Sequence, residues 1–104
     1  MSYLGIDIGT TGCKAVAFDG AGRQIALAYR DYPVTSPSPG WAELDANLVL
    51  DRCFDVIREA AAACAGDPVR AMGISSQGEA FAPVGPDGQL LGHAMVSSDT
   101  RAAQ

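Results

Sequence analysis

The beginning of the sequence restricts the possible folds most strongly, because short apolar segments alternate there with glycine-containing turns. The predicted strands are Tyr3–Ile8, Cys13–Phe18 and Gln24–Tyr29. In the first of them, hydrophobic residues alternate with Gly5 and Asp7, which predicts a half-buried strand with a carboxylate on its less apolar face. The turns Gly9–Gly12 and Asp19–Gly22 are short enough to join neighbouring strands. We therefore expect a three-stranded antiparallel meander.

One amphipathic helix follows the meander. Asp45 is a suitable N-cap, apolar residues recur at helical spacing over Ala46–Cys64, and Gly66 and Pro68 end the pattern. Met72 is expected in the core, as is Met95. The remaining predicted elements are a proline-rich loop at Tyr32–Gly40, a fourth strand at Val69–Ser75, and a hairpin whose strands Phe81–Val84 and Leu90–Val96 flank the turn Gly85–Gly88.

Length and composition exclude several classes of protein. A chain of 104 residues forms one domain at most. The net charge is −5 and the basic residues are dispersed, which argues against nucleic-acid binding. The longest apolar runs, such as Ala60–Ala65, are far shorter than the roughly 20 residues of a membrane span. No signal peptide follows Met1, so we expect a cytoplasmic protein.

The cysteines and the number of helices add two expectations. The chain has three cysteines, an odd number, and no CxxC spacing; they are Cys13, Cys53 and Cys64. We therefore expect reduced, buried thiols. The predicted elements give an α/β fold with a mixed sheet, but a single helix cannot cover both faces of that sheet. We therefore interpret residues 1–104 as the N-terminal part of a larger, incomplete domain.

The turn Gly9–Gly12 is the best candidate for a binding site. Gly9 and Gly12 permit close backbone approach to a ligand, while Thr10 and Thr11 add hydroxyl donors. Lys14 follows at the start of the next strand and can reach the same anion. A carboxylate just before the turn suits phosphate only if Mg²⁺ lies between them. An ordinary hairpin, with that carboxylate accepting backbone hydrogen bonds, is the alternative.

Four segments of this chain, in order, resemble the FGGY family of carbohydrate kinases, within the actin, hexokinase and heat-shock chaperone superfamily. The first is the strand and turn already described, which is similar to the superfamily's first phosphate motif. The others are a loop before the helix, a strand with its following loop, and a segment similar to the family's Trp-x-Asp-x-Arg pattern. These three segments are Pro39–Asp45, Gly73–Glu79 and Ser97–Arg101.

The resemblance implies a ribonuclease-H-like fold and phosphorylation of a sugar or polyol hydroxyl by MgATP. It implies that Asp7 organises Mg²⁺ through water. The residues that it implies for the nucleotide phosphates are Gly9, Thr10, Thr11, Gly12 and Lys14, and those for the sugar are Gln77, Gly78, Glu79, Asp99 and Arg101. The family's catalytic aspartate would lie beyond residue 104. We therefore expect no catalytic base in this chain and no turnover by the chain alone.

Departures from the family pattern leave the sugar open. Ser97 stands where the family often has a tryptophan, and Gly78 stands where glycerol kinases have an arginine. The pair Gly78-Glu79 also differs from the Met-His of xylulose kinases. Trp41 is expected to pack over the helix, and His93 to be a surface or structural residue.

Two further alternatives stay open at this stage. One is a non-catalytic nucleotide-binding or assembly module built on the same superfamily motif. The other concerns association, either as a homodimeric parent protein or as self-association of this chain through exposed sheet edges.

Overall fold

A computed structural model describes residues 1–78 and 80–103, and its centre is a four-stranded mixed sheet. The strands are β1 (Ser2–Ile8), β2 (Gly12–Phe18), β3 (Gln24–Asp31) and β5 (Val69–Ser76). Their order is β3-β2-β1-β5, with β1 antiparallel to β2 and parallel to β5. The predicted meander, fourth strand and α/β class are confirmed.

The helix α1 spans Ala46–Ala62 and packs on one face of the sheet. Asp45 is confirmed as its N-cap, since the carboxylate accepts hydrogen bonds from the backbone amides of Asn47 and Leu48. The α-helix ends two residues earlier than predicted, because the Cys64 amide bonds to the Ala61 carbonyl in a tighter turn at 2.9 Å. No helix in the described residues is long and apolar enough to cross a membrane.

The core lies between α1 and the face of β1, β2 and β3 that carries small side chains. Alanines on β2 and β3 leave room for the helix to approach the sheet closely. The three cysteines are buried and form no disulfide, as expected. The buried residues of this core include Leu4, Ile6, Ala15, Ala17, Ala28, Cys53, Val56 and Ala60.

The prediction that Met72 belongs to the core is wrong, since its side chain is 53% exposed. Met72 lies on β5 beside Leu4 of β1, on the same face as α1. The helix packs mainly against the other three strands, so this edge of the sheet is left uncovered. Met95, the other methionine predicted in the core, is half-buried.

The predicted hairpin over 81–96 is only partly present. Its turn is confirmed, because Gly88 has a φ of +84° and donates to the Gly85 carbonyl at 3.0 Å. Its flanks form isolated bridges instead of two strands: Val84 with Leu90, and Phe81 with Met95. Short two-stranded hairpins are marginal without further support.

The C-terminal part of the predicted hairpin pairs elsewhere. The strand β6 (Ala94–Met95) is antiparallel to β4 (Glu43–Leu44), which directly precedes α1. The loop at 32–40 is confirmed, with Thr35 bridging to Glu43. A short 3-10 helix, Arg101–Ala103, follows.

Candidate functional site

The Gly9–Gly12 turn connects β1 to β2 and is closed by backbone hydrogen bonds. The Gly9 amide donates to the Gly12 carbonyl at 2.9 Å, and the Tyr32 amide donates to the Thr11 carbonyl at 3.1 Å. A side chain at Gly12 would come within 2.8 Å of the Arg30 carbonyl oxygen on β3. Only glycine therefore fits there without moving the backbone.

Tyr32 supports the turn and was missed in the sequence. Its side chain is 4% exposed, and its hydroxyl donates to the Gly9 carbonyl. Burial raises the pKa of Tyr32 to about 12, so the phenol stays protonated and able to donate. A tyrosine just beyond a predicted strand was the available signal, since a buried phenol usually has a hydrogen-bond partner.

Asp7 and Lys14 lie opposite one another across β1 and β2, on the sheet face away from α1. Both side chains are exposed, and no salt bridge joins them. No hydrogen bond from the described residues reaches the Asp7 carboxylate. The backbone hydrogen bonds to this carboxylate that an ordinary hairpin would provide are therefore absent from the described residues.

The single carboxylate of Asp7 suits Mg²⁺, which also takes water and phosphate ligands, better than it suits a metal whose ligands all come from the protein. Within residues 1–78 and 80–103, no cluster of three His, Cys, Asp or Glu side chains is able to hold a metal. Mg²⁺ usually keeps several waters and is bound by one or two carboxylates together with phosphate oxygens. One exposed carboxylate beside the Gly9–Gly12 turn, the candidate phosphate site, meets that requirement.

Gln77 lies at the end of β5 and contacts the turn directly. Its backbone amide donates to the Ile8 carbonyl at 2.8 Å. Its side-chain Nε2 donates to the Gly9 carbonyl at 3.3 Å, and its Oε1 accepts from the Thr10 hydroxyl at 2.9 Å. A residue predicted for the sugar thus touches residues predicted for the phosphates. Gly78 follows and is exposed. Glu79 lies outside the described residues.

Asp99 and Arg101 form a second cluster with the segment before α1, named here the Arg101 clamp (Trp41, Glu43, Asp99 and Arg101). The guanidinium donates from Nε to Asp99 Oδ1 at 2.9 Å and from Nη2 to Glu43 Oε2 at 2.7 Å. Its central carbon lies 3.8 Å from the Trp41 ring centroid, a cation–π contact. The Ala42 amide donates to Asp99 Oδ2 at 2.7 Å.

These contacts favour the charged forms of Asp99 and Arg101. Hydrogen bonds from Arg101, aided by those from backbone amides, hold the pKa of Asp99 well below its usual range. The bond to Asp99, followed by that to Glu43, raises the pKa of Arg101. Glu43 was missed as a functional candidate, although it lies in a segment that carried the family resemblance.

Trp41 and His93 have structural partners in this region. Trp41 is 37% exposed and packs on Arg101. His93 is half exposed, with its Nδ1 3.4 Å from Glu43 Oε1, which fits the predicted surface or structural role.

Phe81 connects the two parts of the candidate site and was also missed. It lines a cleft of about 460 Å³ together with Ser97, Asp99 and Arg101. It also lines a neighbouring cleft that contains Gln77. Its side chain is 62% exposed, so an apolar surface lies between Gln77 on one side and the Arg101 clamp on the other.

Comparison with known proteins identifies the family. Residues 2–104 match the description "FGGY family of carbohydrate kinases, N-terminal domain". This chain belongs to the FGGY family. A probable L-xylulose kinase of Haemophilus influenzae is 39% identical over 96% of the chain and 21% of its own length. A glycerol kinase of Acinetobacter baylyi is 35% identical over 100% of the chain and 22% of its own length.

Solved structures of xylulose and glycerol kinases share the fold. A ligand-bound xylulose kinase from Lactobacillus acidophilus has a TM-score of 0.93 at 29% identity, covering 98% of this chain and 21% of that protein. A glycerol kinase from Plasmodium falciparum, crystallised with ADP, has a TM-score of 0.85 at 21% identity, over 98% of this chain and 21% of that protein. The chain spans about one fifth of the length of these relatives.

Proposed function

We propose that the full-length protein containing this chain transfers the γ-phosphoryl group of MgATP to a hydroxyl of a sugar or polyol. Membership of the FGGY family supports the reaction class. The observation that carries the proposal is a pair of hydrogen bonds between Gln77 and the turn: Gln77 Nε2 donates to the Gly9 carbonyl, and Gln77 Oε1 accepts from the Thr10 hydroxyl. They join the strand end proposed for the sugar to the turn proposed for the phosphates. Phosphoryl transfer depends chiefly on such positioning and on charge neutralisation.

In this proposal the nucleotide phosphates lie against the backbone amides and hydroxyls of the Gly9–Gly12 turn. Lys14 contributes a positive charge from the neighbouring strand. Asp7 binds Mg²⁺ through water, and the metal, when bound, supplies neutralisation of the charge on the transferring group. The open sheet face on which Asp7 and Lys14 lie leaves room for these ligands.

The sugar is proposed to bind near Gln77, Gly78 and Glu79, with the Arg101 clamp forming a wall of the pocket. Because Asp99 and Arg101 hold one another, their proposed contribution is mainly to shape that wall. The catalytic base is proposed to lie beyond residue 104. The isolated chain should therefore release no ADP in response to sugar.

The proposal is tested by ADP release from the full-length protein with a panel of xylulose, glycerol and gluconate. Asp7→Ala should lower turnover by about 100-fold or more, since it removes the carboxylate that orients the metal. Asp51→Ala, which removes an exposed carboxylate on α1, is the matched control and should leave turnover unchanged. Undiminished turnover in Asp7→Ala would contradict the proposal.

The non-catalytic alternative predicts a different outcome of the same experiment. An assembly module would bind MgATP in calorimetry and turn over none of the sugars in the panel. The polar groups near Phe81 favour the kinase, because a nucleotide-gated scaffold has no need of a pocket for hydroxyls.

A further inference from the structure

Gln77 contacts the phosphate turn in a way that a residue serving only the sugar would not require. Its side-chain amide accepts a hydrogen bond from the Thr10 hydroxyl at 2.9 Å and donates one to the Gly9 carbonyl at 3.3 Å. Gln77 itself is half-buried, and it also lines the cleft that contains Phe81. A single side chain therefore faces the candidate nucleotide site and the candidate sugar site.

The hydrogen-bonding capacity of these groups makes the two sites interdependent. A threonine hydroxyl has one proton, and here Thr10 donates it to Gln77 Oε1. Donation from Thr10 to a phosphate oxygen requires the hydroxyl to turn away. Gln77 Oε1 then loses that partner in a half-buried place, where an unsatisfied acceptor is unfavourable.

We propose that Gln77 is a positioning residue that couples nucleotide binding to sugar binding. Without ligands its Oε1 accepts from Thr10. With both ligands bound, Thr10 donates to a phosphate oxygen and a sugar hydroxyl replaces it as the donor to Gln77. Bound sugar thus removes the cost that nucleotide binding would leave at Gln77, and by thermodynamic linkage bound nucleotide strengthens sugar binding by the same factor. This inference rests on the proposed kinase function.

The expected size of the coupling follows from one hydrogen bond. The net free energy of one hydrogen bond corresponds to nucleotide binding that is about 3- to 10-fold tighter when sugar is present. The measurement is calorimetric titration of the full-length protein with magnesium and the non-hydrolysable analogue AMP-PNP. It is made with and without the sugar that gives the highest turnover in the panel.

Two substitutions at Gln77 separate coupling from simple support of the turn. Gln77→Met keeps the length of the side chain and removes its polar atoms, so the ratio of the two dissociation constants should fall to about 1. Gln77→Glu keeps the acceptor, so the ratio should be retained while the added negative charge weakens nucleotide binding in both titrations. A purely structural role would change both dissociation constants and leave the ratio unaltered in Gln77→Met.

Thr10→Val provides the partner arm of a double-mutant cycle. It removes the hydroxyl proton, so the ratio of the two dissociation constants should again fall to about 1. The double variant with Gln77→Met should show the same ratio as either single variant. If the wild-type protein turned over sugar but bound nucleotide equally well with and without it, the inference would be wrong and the proposed function would stand. The same holds if Gln77→Met kept the wild-type ratio of dissociation constants. Absence of turnover with every sugar would instead remove the proposed function, and this inference with it.

Discussion

At the residue scale, Arg101 joins parts of the chain that are far apart in sequence. It contacts Asp99 on its own segment, and Glu43 and Trp41 on the segment before α1. The planar guanidinium makes this possible, because it can bond two carboxylates in its plane while its face lies on an aromatic ring. The clamp therefore sets the position of one wall of the cleft that Phe81 also lines.

The charge of Asp99 gives a prediction about acid. Its pKa is lower in the folded chain than in the unfolded chain, so its contribution to stability is present above about pH 4 and is lost as the pH falls further. Asp99→Asn should lower the urea midpoint at pH 7, and the difference from wild type should narrow below pH 4. Urea titrations of the chain at several pH values, followed by circular dichroism, measure this.

Asp51→Asn is the control for that experiment, since it removes an exposed carboxylate of α1. It should leave both the midpoint and its pH dependence close to wild type. A constant difference between Asp99→Asn and wild type from pH 7 to pH 2 would contradict the assignment.

Gly12 gives a second prediction at this scale. A methyl group there would meet the Arg30 carbonyl oxygen at 2.8 Å and the Tyr29 side chain even more closely. Gly12→Ala should therefore destabilise the chain by about 1–3 kcal/mol. Gly66→Ala, where a methyl group meets nothing within 4 Å, should change stability by less than about 0.5 kcal/mol. Equal unfolding free energies for the two variants in urea would contradict the close approach.

At the element scale, α1 depends on its first turn. Asp45 accepts hydrogen bonds from the amides of Asn47 and Leu48 at 3.0 and 3.4 Å. The last turn of the helix has no basic residue, so the macrodipole gains little at that end. The N-cap is therefore the main local stabiliser of the helix ends.

Asp45→Ala should lower the unfolding free energy of the chain by about 1 kcal/mol, whereas Asp45→Asn should retain most of the stabilisation that the N-cap provides. Thermal and urea unfolding, both followed by helical circular dichroism, measure the difference. Asp51→Ala on the same helix is the control for loss of a carboxylate. If Asp45→Asn were as unstable as Asp45→Ala, the stabilisation would not come from the capping bonds.

At the scale of the whole molecule, the described chain is less compact than a typical globular chain of its length. Its radius of gyration is 16.1 Å, compared with about 13 Å for a globular chain of this length. Large apolar side chains line a groove between α1 and β5, named here the α1–β5 groove. Its exposed members are Leu50, Phe54, Met72 and Ile74. The edge strand β5 runs along it.

This surface predicts self-association of the chain when it is produced alone. Exposed edge strands and large apolar patches favour contact between copies. Light scattering should give a mass larger than the 10.7 kDa of the monomer, and this mass should rise with protein concentration. The double substitution Phe54→Gln with Ile74→Gln should bring the mass towards that of the monomer.

Leu91→Gln is the control for the association experiment. Leu91 is 70% exposed but does not line the groove, so this variant should associate like wild type. A monomeric wild-type chain at all concentrations would contradict the prediction.

The local pattern of the sequence determined the meander, the helix with its N-cap, and the Gly9–Gly12 turn with Asp7 and Lys14 beside it. These features depend on alternation, helical spacing and turn chemistry, which act between residues close together in the chain. Only the tertiary structure decided that Gln77 contacts Thr10, that Arg101 contacts Glu43, and that Met72 is exposed. Those outcomes depend on which strands become neighbours and on how far one helix reaches across a sheet. Such long-range arrangements leave no periodic signal in the sequence.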